Sequence, residues 1–257
     1  MEKFDRLVSI VKTLRAPEGC PWDKEQTFHS LTPYIIEEAY ELVEAIKAES
    51  FSDIQEELGD ILLHVVMLSN MAEEHQQFTI DTVVEDISEK MIRRHPHVFS
   101  DVKVHSVEDV WKNWEHIKRQ EKNRYMLDSV PSSLPALMHA HKIQKKAARV
   151  GFDWNVPEGP LEKIREEIDE IQKALEQNED KKRVKEEFGD LLFSMVNVAR
   201  KWNIDPEDAL QSSIKKFRTR FEWMEKEVAE HDRDIQRLTP LEWDALWKKA
   251  KQQQGVL

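Results

Sequence analysis

Eight carboxylates fall into two sets with one spacing. Glu38 and Glu41 lie three residues apart, as do Glu57 and Asp60, and the same step separates Glu167 from Glu170 and Glu187 from Asp190. Residues i and i+3 share a helix face, so each pair presents two acids on one side. The pairs are also mirrored. Glu41 and Glu57 stand eight residues either side of position 49, and Glu38 and Asp60 stand eleven; the second set is centred between Asn178 and Glu179. Antiparallel helices folded about those centres, with axes roughly 8 to 10 Å apart, bring each set of four acids into one small volume. Four anions held so close repel strongly unless protonated or neutralised, and a divalent cation is the natural occupant. Hard oxygen donors suit Mg2+, with Mn2+ as a substitute, better than zinc. A di-iron centre of the Glu-x-x-His kind is disfavoured, because His64 follows Asp60 by four residues whereas Ser194 holds the matching place after Asp190.

A carboxylate-held ion that keeps open positions bridges phosphate oxygens and lowers the pKa of an attacking water, which points to a polyphosphate substrate. Lys90 with Arg94, and Lys216 with Arg220, place two cations on one helix face in each half, suited to a phosphate tail. Trp114 and Trp247 follow, each with a lysine four residues on, and offer faces on which a base can stack. Any of these features alone has a commoner reading. An EExxE in a glutamate-rich chain is usually a solvated helix face, a Lys-x-x-x-Arg a surface stripe, and a tryptophan a core anchor. Their recurrence in the same order sets them apart.

The elements that must position these residues are helices. Only 6 glycines against 34% charged residues, with long stretches of Glu, Lys, Leu, Ala and Gln, predict an all-α chain. Its 257 residues suffice for two cores. The repeat itself divides them: IEEAYE over 36–41 and EELGDILL over 56–63 are answered by REEIDE over 165–170 and EEFGDLLF over 186–193. SVPSSLPAL, residues 129–137, reads as a linker and helix start, which predicts tandem helical bundles over 1–128 and 129–257. Gly59 and Gly189 sit inside predicted helices, where glycine costs about 1 kcal/mol relative to alanine, and close helix approach beside the acids is the expected reason. Leu58, Ile61, Leu62 and Val65, with Phe188, Leu191, Leu192 and Met195, are expected to be core.

Other chemistries find little support. The net charge of -12 disfavours nucleic acid and membrane surfaces, both polyanionic. A single cysteine, Cys20, fits a reducing cytoplasm, and it has no counterpart in the second half to suggest cysteine catalysis. The start MEKFDRL lacks a signal-peptide core, and the apolar runs are too short to span a bilayer. There is no glycine-rich phosphate loop and no G-x-G-x-x-G.

With these residues in view, the chain resembles the MazG family of nucleoside triphosphate pyrophosphohydrolases. CPWDKEQTFHSL (20–31), YIIEEAYELVEAI (34–46), EELGDILLHV (56–65) and RRHPHVF (93–99) look like its first domain. VPSSLPALMHAHKIQKKAARVGFDW (130–154) resembles its interdomain joint, and EEFGDLLF its second acidic motif. The resemblance implies an all-α fold, carboxylate-bound Mg2+, cleavage of NTP to NMP and pyrophosphate, and a homodimer. Carried over, Glu167, Glu170, Glu187 and Asp190 are the second-half ligands, with Glu166 and Glu186 as supporting acids, one of which orients or deprotonates the water. Lys216, Arg220 and Trp247 match nucleotide-binding positions; Lys118 is a further candidate, as is Arg183, which stands where some relatives have lysine. The second domain is the expected principal catalyst, although the first keeps Glu38, Glu41, Glu57, Asp60, Lys90 and Arg94. Two alternatives stand beside this one: an acidic helical scaffold or regulatory dimer without catalysis, and a pyrophosphatase specific for dUTP or dCTP.

Overall fold

The computed structural model describes residues 2–121, 125–156, 158–231 and 233–254, apart from the side chains at 112, 115, 116, 118–120 and 254. Among them are twelve α-helices, two short 3-10 helices and no strand. The chain divides into two compact units, Met1–Lys122 and Asn123–Leu257. The first holds α1 (Glu2–Arg15), α2 (Pro21–Glu25), α3 (Thr32–Lys47), α4 (Phe51–Glu74), α5 (Ile80–Arg94), α6 (Pro96–Phe99) and α7 (Val107–Glu121). The second holds α8 (Ala136–Ala148), α9 (Gly159–Glu176), α10 (Lys181–Lys201), α11 (Pro206–Glu230) and α12 (Pro240–Gln254), preceded by a 3-10 turn at Met126–Ser129.

Each unit is built on one antiparallel hairpin, α3 with α4 and α9 with α10. The turn that closes it is the same device twice. In the first, Ser50 N donates to Ala45 O at 3.2 Å and Glu49 N to Ile46 O at 3.1 Å, with Glu49 at φ 54°. In the second, Glu179 N donates to Ala174 O at 2.9 Å and Asn178 N to Leu175 O at 3.2 Å, with Asn178 at φ 50°. Both are Schellman caps, in which a left-handed residue turns the chain and satisfies the last carbonyls of the helix. The return helices then start differently. Asp180 accepts a hydrogen bond from Arg183 N at 2.8 Å, whereas Ser50 at the head of α4 makes no such cap.

In the first unit α1 and α5 pack on α4. The core joins Val11, Leu31, Val66, Met67, Met71 and Ile80. Arg15, anchored by Glu74 at 2.7 Å, ties the end of α1 to the end of α4. In the second, α8 packs on α10 and α11, and α12 lies along α11. There Ile171, Ala174, Val196, Met224 and Val228 are buried, and Asp153, held by Arg200 at 2.5 Å and Lys201 at 2.8 Å, ties the turn before α9 to the end of α10.

Two expectations fail within the single chain. Leu58, Leu62, Val65, Phe188, Leu192 and Met195 are exposed rather than core. They continue into Ile36, Tyr40 and Val43 on α3 and Ile168 and Leu175 on α9, so each hairpin turns an apolar face outward. A Cβ at Gly59 or Gly189 would meet nothing within 4 Å, so neither glycine serves a close approach inside the chain. Helical periodicity identifies an apolar face but does not say which chain covers it.

Candidate active site

The hairpins deliver the carboxylates. In the first unit, oxygens of Glu38 on α3 and Glu41 and Glu57 on α3 and α4 lie within 4.8 Å of one another. In the second, Glu167 from α9 and Glu187 and Asp190 from α10 do the same. Asp60 and Glu170 stand just outside these groups but feel them: Asp60 repels Glu41 and Glu57, and Glu170 repels Glu187.

Crowding acts on ionisation as expected for anions removed from water. Desolvation raises the Glu41 carboxyl above its ordinary value, and repulsion from Glu38, Glu37, Glu44 and Asp60 adds to it. Glu57 is raised by desolvation and then by Glu41, Glu38 and Asp60. Glu187 is raised by desolvation and by its neighbour Glu170, against the opposing pull of Arg183. In each, burial beside other carboxylates disfavours the charged form.

The two groups are countered differently. In the second unit Lys163 Nζ lies 2.7 Å from Glu167 Oε1, and Arg183 Nη2 lies 2.5 Å from Glu187 Oε1. Those two glutamate side chains are only 3% and 2% exposed, so each cation holds a carboxylate drawn almost wholly out of water. In the first unit His64 Nε2 stands 3.7 Å from Glu38, and Glu57 Oε2 is buried without a hydrogen bond. The donor sets fit a divalent ion: every member is a carboxylate, and Glu57 Oε2 and Glu187 Oε1 are buried oxygens that no hydrogen bond satisfies.

The supporting acids and the cations lie around these groups. Glu166 and Glu186 are half-exposed on the solvent side, Glu166 paired to Lys163 and Glu186 near Lys182 and Arg183. Lys216 is exposed on α11, and Arg220, one turn on, lies over the Trp247 ring at 5.7 Å. Lys251 covers the same ring at 5.7 Å. Phe217 packs against Trp247 at 5.4 Å and stacks on Phe221, which stacks in turn on Trp243. This aromatic row, readable as residues 217 and 221 on α11 facing 243 and 247 on α12, escaped the sequence reading, as did Lys163, one turn before Glu167.

In the first unit the matching cations are placed otherwise. Lys90 is half-buried, and Arg94 is buried over the Trp114 ring at 5.1 Å. Its Nη2 lies 2.5 Å from Glu121 Oε2, and Arg93 Nε lies 2.7 Å from Glu121 Oε1. The hydrogen bond from Arg94, aided by Arg93, holds the Glu121 carboxyl down to about 2. A carboxylate of the chain thus takes the guanidinium expected to meet a phosphate. The side chain of Lys118 lies outside the described residues.

Paired acidic helices, repeated in tandem and flanked by cations and aromatic rings, define a class of all-α hydrolases acting on phosphoanhydrides. The MazG nucleotide pyrophosphohydrolase domain matches this chain twice, over residues 26–99 and 157–225. The chain is 48% identical over 252 residues to the nucleoside triphosphate pyrophosphohydrolase/pyrophosphatase MazG of Thermotoga maritima, covering 96% of this chain and 95% of that one. It is 43% identical over 260 residues to the nucleoside triphosphate pyrophosphohydrolase of Escherichia coli K12, covering 99% of each. An uncharacterised protein of Bacillus subtilis is 48% identical over 253 residues, which make up 97% of this chain and 52% of that one. The chain belongs to the MazG family, as a nucleoside triphosphate pyrophosphohydrolase. The scaffold without catalysis falls away with that membership. No helix among the described residues is long and apolar enough to cross a membrane.

Proposed function

We propose that the chain cleaves the bond between the α and β phosphates of ribo- and deoxyribonucleoside triphosphates, with little choice of base, giving the monophosphate and pyrophosphate. Mg2+ is the proposed ion, the second unit the principal catalyst, and removal of unwanted nucleotides in the cytoplasm the proposed role. One observation carries the reading: Glu167, Glu187 and Asp190 converge to within 4.8 Å in the second unit, two of them almost wholly buried. So much desolvated negative charge is stable only with a cation, and carboxylate oxygens select a hard one.

When bound, such an ion neutralises phosphate oxygens and acidifies water. The chain's own residues do the rest. Glu167, Glu187 and Asp190, with Glu170 beside them, would hold the ion; Lys216 and Arg220 would take the charge of the departing pyrophosphate, and Trp247 would stack on the base. Glu166 or Glu186, both open to solvent, orients or deprotonates the water. We also place the enzyme in a homodimer, because each hairpin exposes an apolar face. A cavity of about 500 Å³ lined by Leu175, Val184 and Phe188 extends that face at the tip of the second hairpin.

The test is direct. Each NTP and dNTP is incubated with the protein and Mg2+, and the products are separated. NMP with pyrophosphate is expected; NDP with phosphate would overturn the reading, and a strong preference for dUTP or dCTP would replace the broad specificity with the narrow one. Glu167→Gln and Asp190→Asn should each lower turnover by at least about a hundredfold, the scale of losing a charge-stabilising group, with helical content unchanged. Full turnover in both would remove these acids from the mechanism.

A further inference from the structure

The two acidic groups occupy the same places in their hairpins, but the residues one turn before them differ. Lys163, four residues before Glu167, corresponds to Tyr34, four before Glu38. Arg183, four before Glu187, corresponds to Asp53, four before Glu57. Both permanent cations that touch the second group are therefore missing from the first, where Tyr34 instead stacks on His64 with ring centres 6.5 Å apart.

Lys163 and Arg183 are themselves 37% and 51% exposed, so they reach inward from the surface on flexible stems to carboxylates that are nearly sealed. Each also touches a solvent-facing acid: Lys163 meets Glu166 at 2.9 Å, and Arg183 lies 3.9 Å from Glu186 and 3.8 Å from Glu179. The contact between Arg183 and Glu187 Oε1 is close but does not make a hydrogen bond. A monovalent head at each buried oxygen is enough to hold two anions in a desolvated pocket, yet it occupies the oxygens that a divalent ion needs. A divalent ion in the pocket would repel both heads, and water with surface acids is within their reach.

We propose that Lys163 and Arg183 are resident counter-ions of the second acidic group, holding Glu167 and Glu187 when no divalent ion is present and giving them up when one binds. The proposal rests on the functional reading above and deepens it. Metal and triphosphate are then coupled. Displaced from the carboxylates, the two cations gain new partners in the phosphates, so nucleotide tightens metal binding and metal tightens nucleotide binding by the same factor. The first group, where tyrosine and aspartate stand in the places of these two cations, would lack this coupling.

Mn2+ binding tests it by electron paramagnetic resonance titration, in protein carrying Glu41→Gln and Glu57→Gln so that the second group alone reports. Titrations are run with Mn2+ alone and with an α,β-imido nucleoside triphosphate. Losing one competitor from a partly exposed pair should make Lys163→Gln and Arg183→Gln each bind Mn2+ alone about three- to tenfold more tightly, and the gain from nucleotide should shrink by a similar factor. Lys163→Arg should behave as the parent. A residue that merely braces Glu167 would act with the opposite sign, so unchanged or weaker Mn2+ binding in both glutamine variants overturns the counter-ion role while leaving the enzyme's function intact. If the parent binds no Mn2+ and the natural sequence forms no pyrophosphate, the functional reading falls, and this proposal with it.

Discussion

Glu49 is the residue on which the first hairpin turns, and it is poorly suited to the position. Its φ of 54° is left-handed, a conformation that costs a residue with a Cβ roughly 1–2 kcal/mol, and it carries a negative charge beside the negative end of α3. The hydrogen bonds that define the turn come from the backbone at 49 and 50, and its side chain is exposed. Glu49→Gly therefore removes strain and an unfavourable charge without touching a contact. Set against the extra freedom that glycine adds to the unfolded chain, roughly 0.5–1 kcal/mol, the net gain is about 1 kcal/mol. Asn178, at φ 50° in the equivalent turn, supplies the control: asparagine tolerates this conformation and carries no charge, so Asn178→Gly should change stability by only a few tenths of a kcal/mol. Calorimetric unfolding of the full chain, with hydrogen exchange of α3 and α10 amides assigning the transitions, should show the first unit's midpoint raised by about 2–6 °C in Glu49→Gly and the second unit's nearly still in Asn178→Gly. Equal shifts in the two variants, or a lower midpoint in Glu49→Gly, would refute the strain account.

Two further outcomes follow from the clamps and the aromatic row. The Glu121 carboxyl is lowered from an ordinary 4.5 to about 2, so the stability it contributes, at most about 3 kcal/mol, is complete above pH 4.5 and lost as pH falls through 2. Chemical unfolding of Glu121→Gln should then be less stable than the parent at pH 7 and should lose less stability over that acid window. Trp247→Ala should raise KM for ATP by about tenfold, the scale of one base–aromatic contact, with a smaller effect on kcat, whereas Trp247→Phe should retain most of the affinity. An unchanged KM in steady-state kinetics would return Trp247 to a packing role.

What the sequence revealed was local and periodic. The mirror centres, at 49 and between 178 and 179, fall at or beside the left-handed residues Glu49 and Asn178, because fixed helical steps on both sides of a tight turn leave one geometry. The acids that share a hairpin could be counted from those centres. What was hidden depended on distant partners or on none. Arg94 meets Glu121 across 27 residues of chain, and no spacing rule announces such a pair. Leu58 and Phe188 repeat as core residues do, but periodicity gives a face and not its cover. Lys163 was visible as a lysine one turn before Glu167; comparing the copies position by position, with Tyr34 in its place, was the signal that would have found it.

The copies share their acids and differ in what surrounds them. In the first unit an arginine and a tryptophan are closed by a carboxylate of the chain itself, Glu121, which makes the same charge-assisted bonds that a phosphate would make. An incoming phosphate would have to displace an acid held by two arginines. In the second, Arg220 and Lys251 both flank Trp247, so two positive groups stay beside one aromatic face. The acidic groups diverge the same way: permanent cations attend Glu167 and Glu187, and a histidine attends Glu38. Permanent positive charge thus stands at the buried acids of the second unit, while in the first the Arg94 guanidinium is held by Glu121.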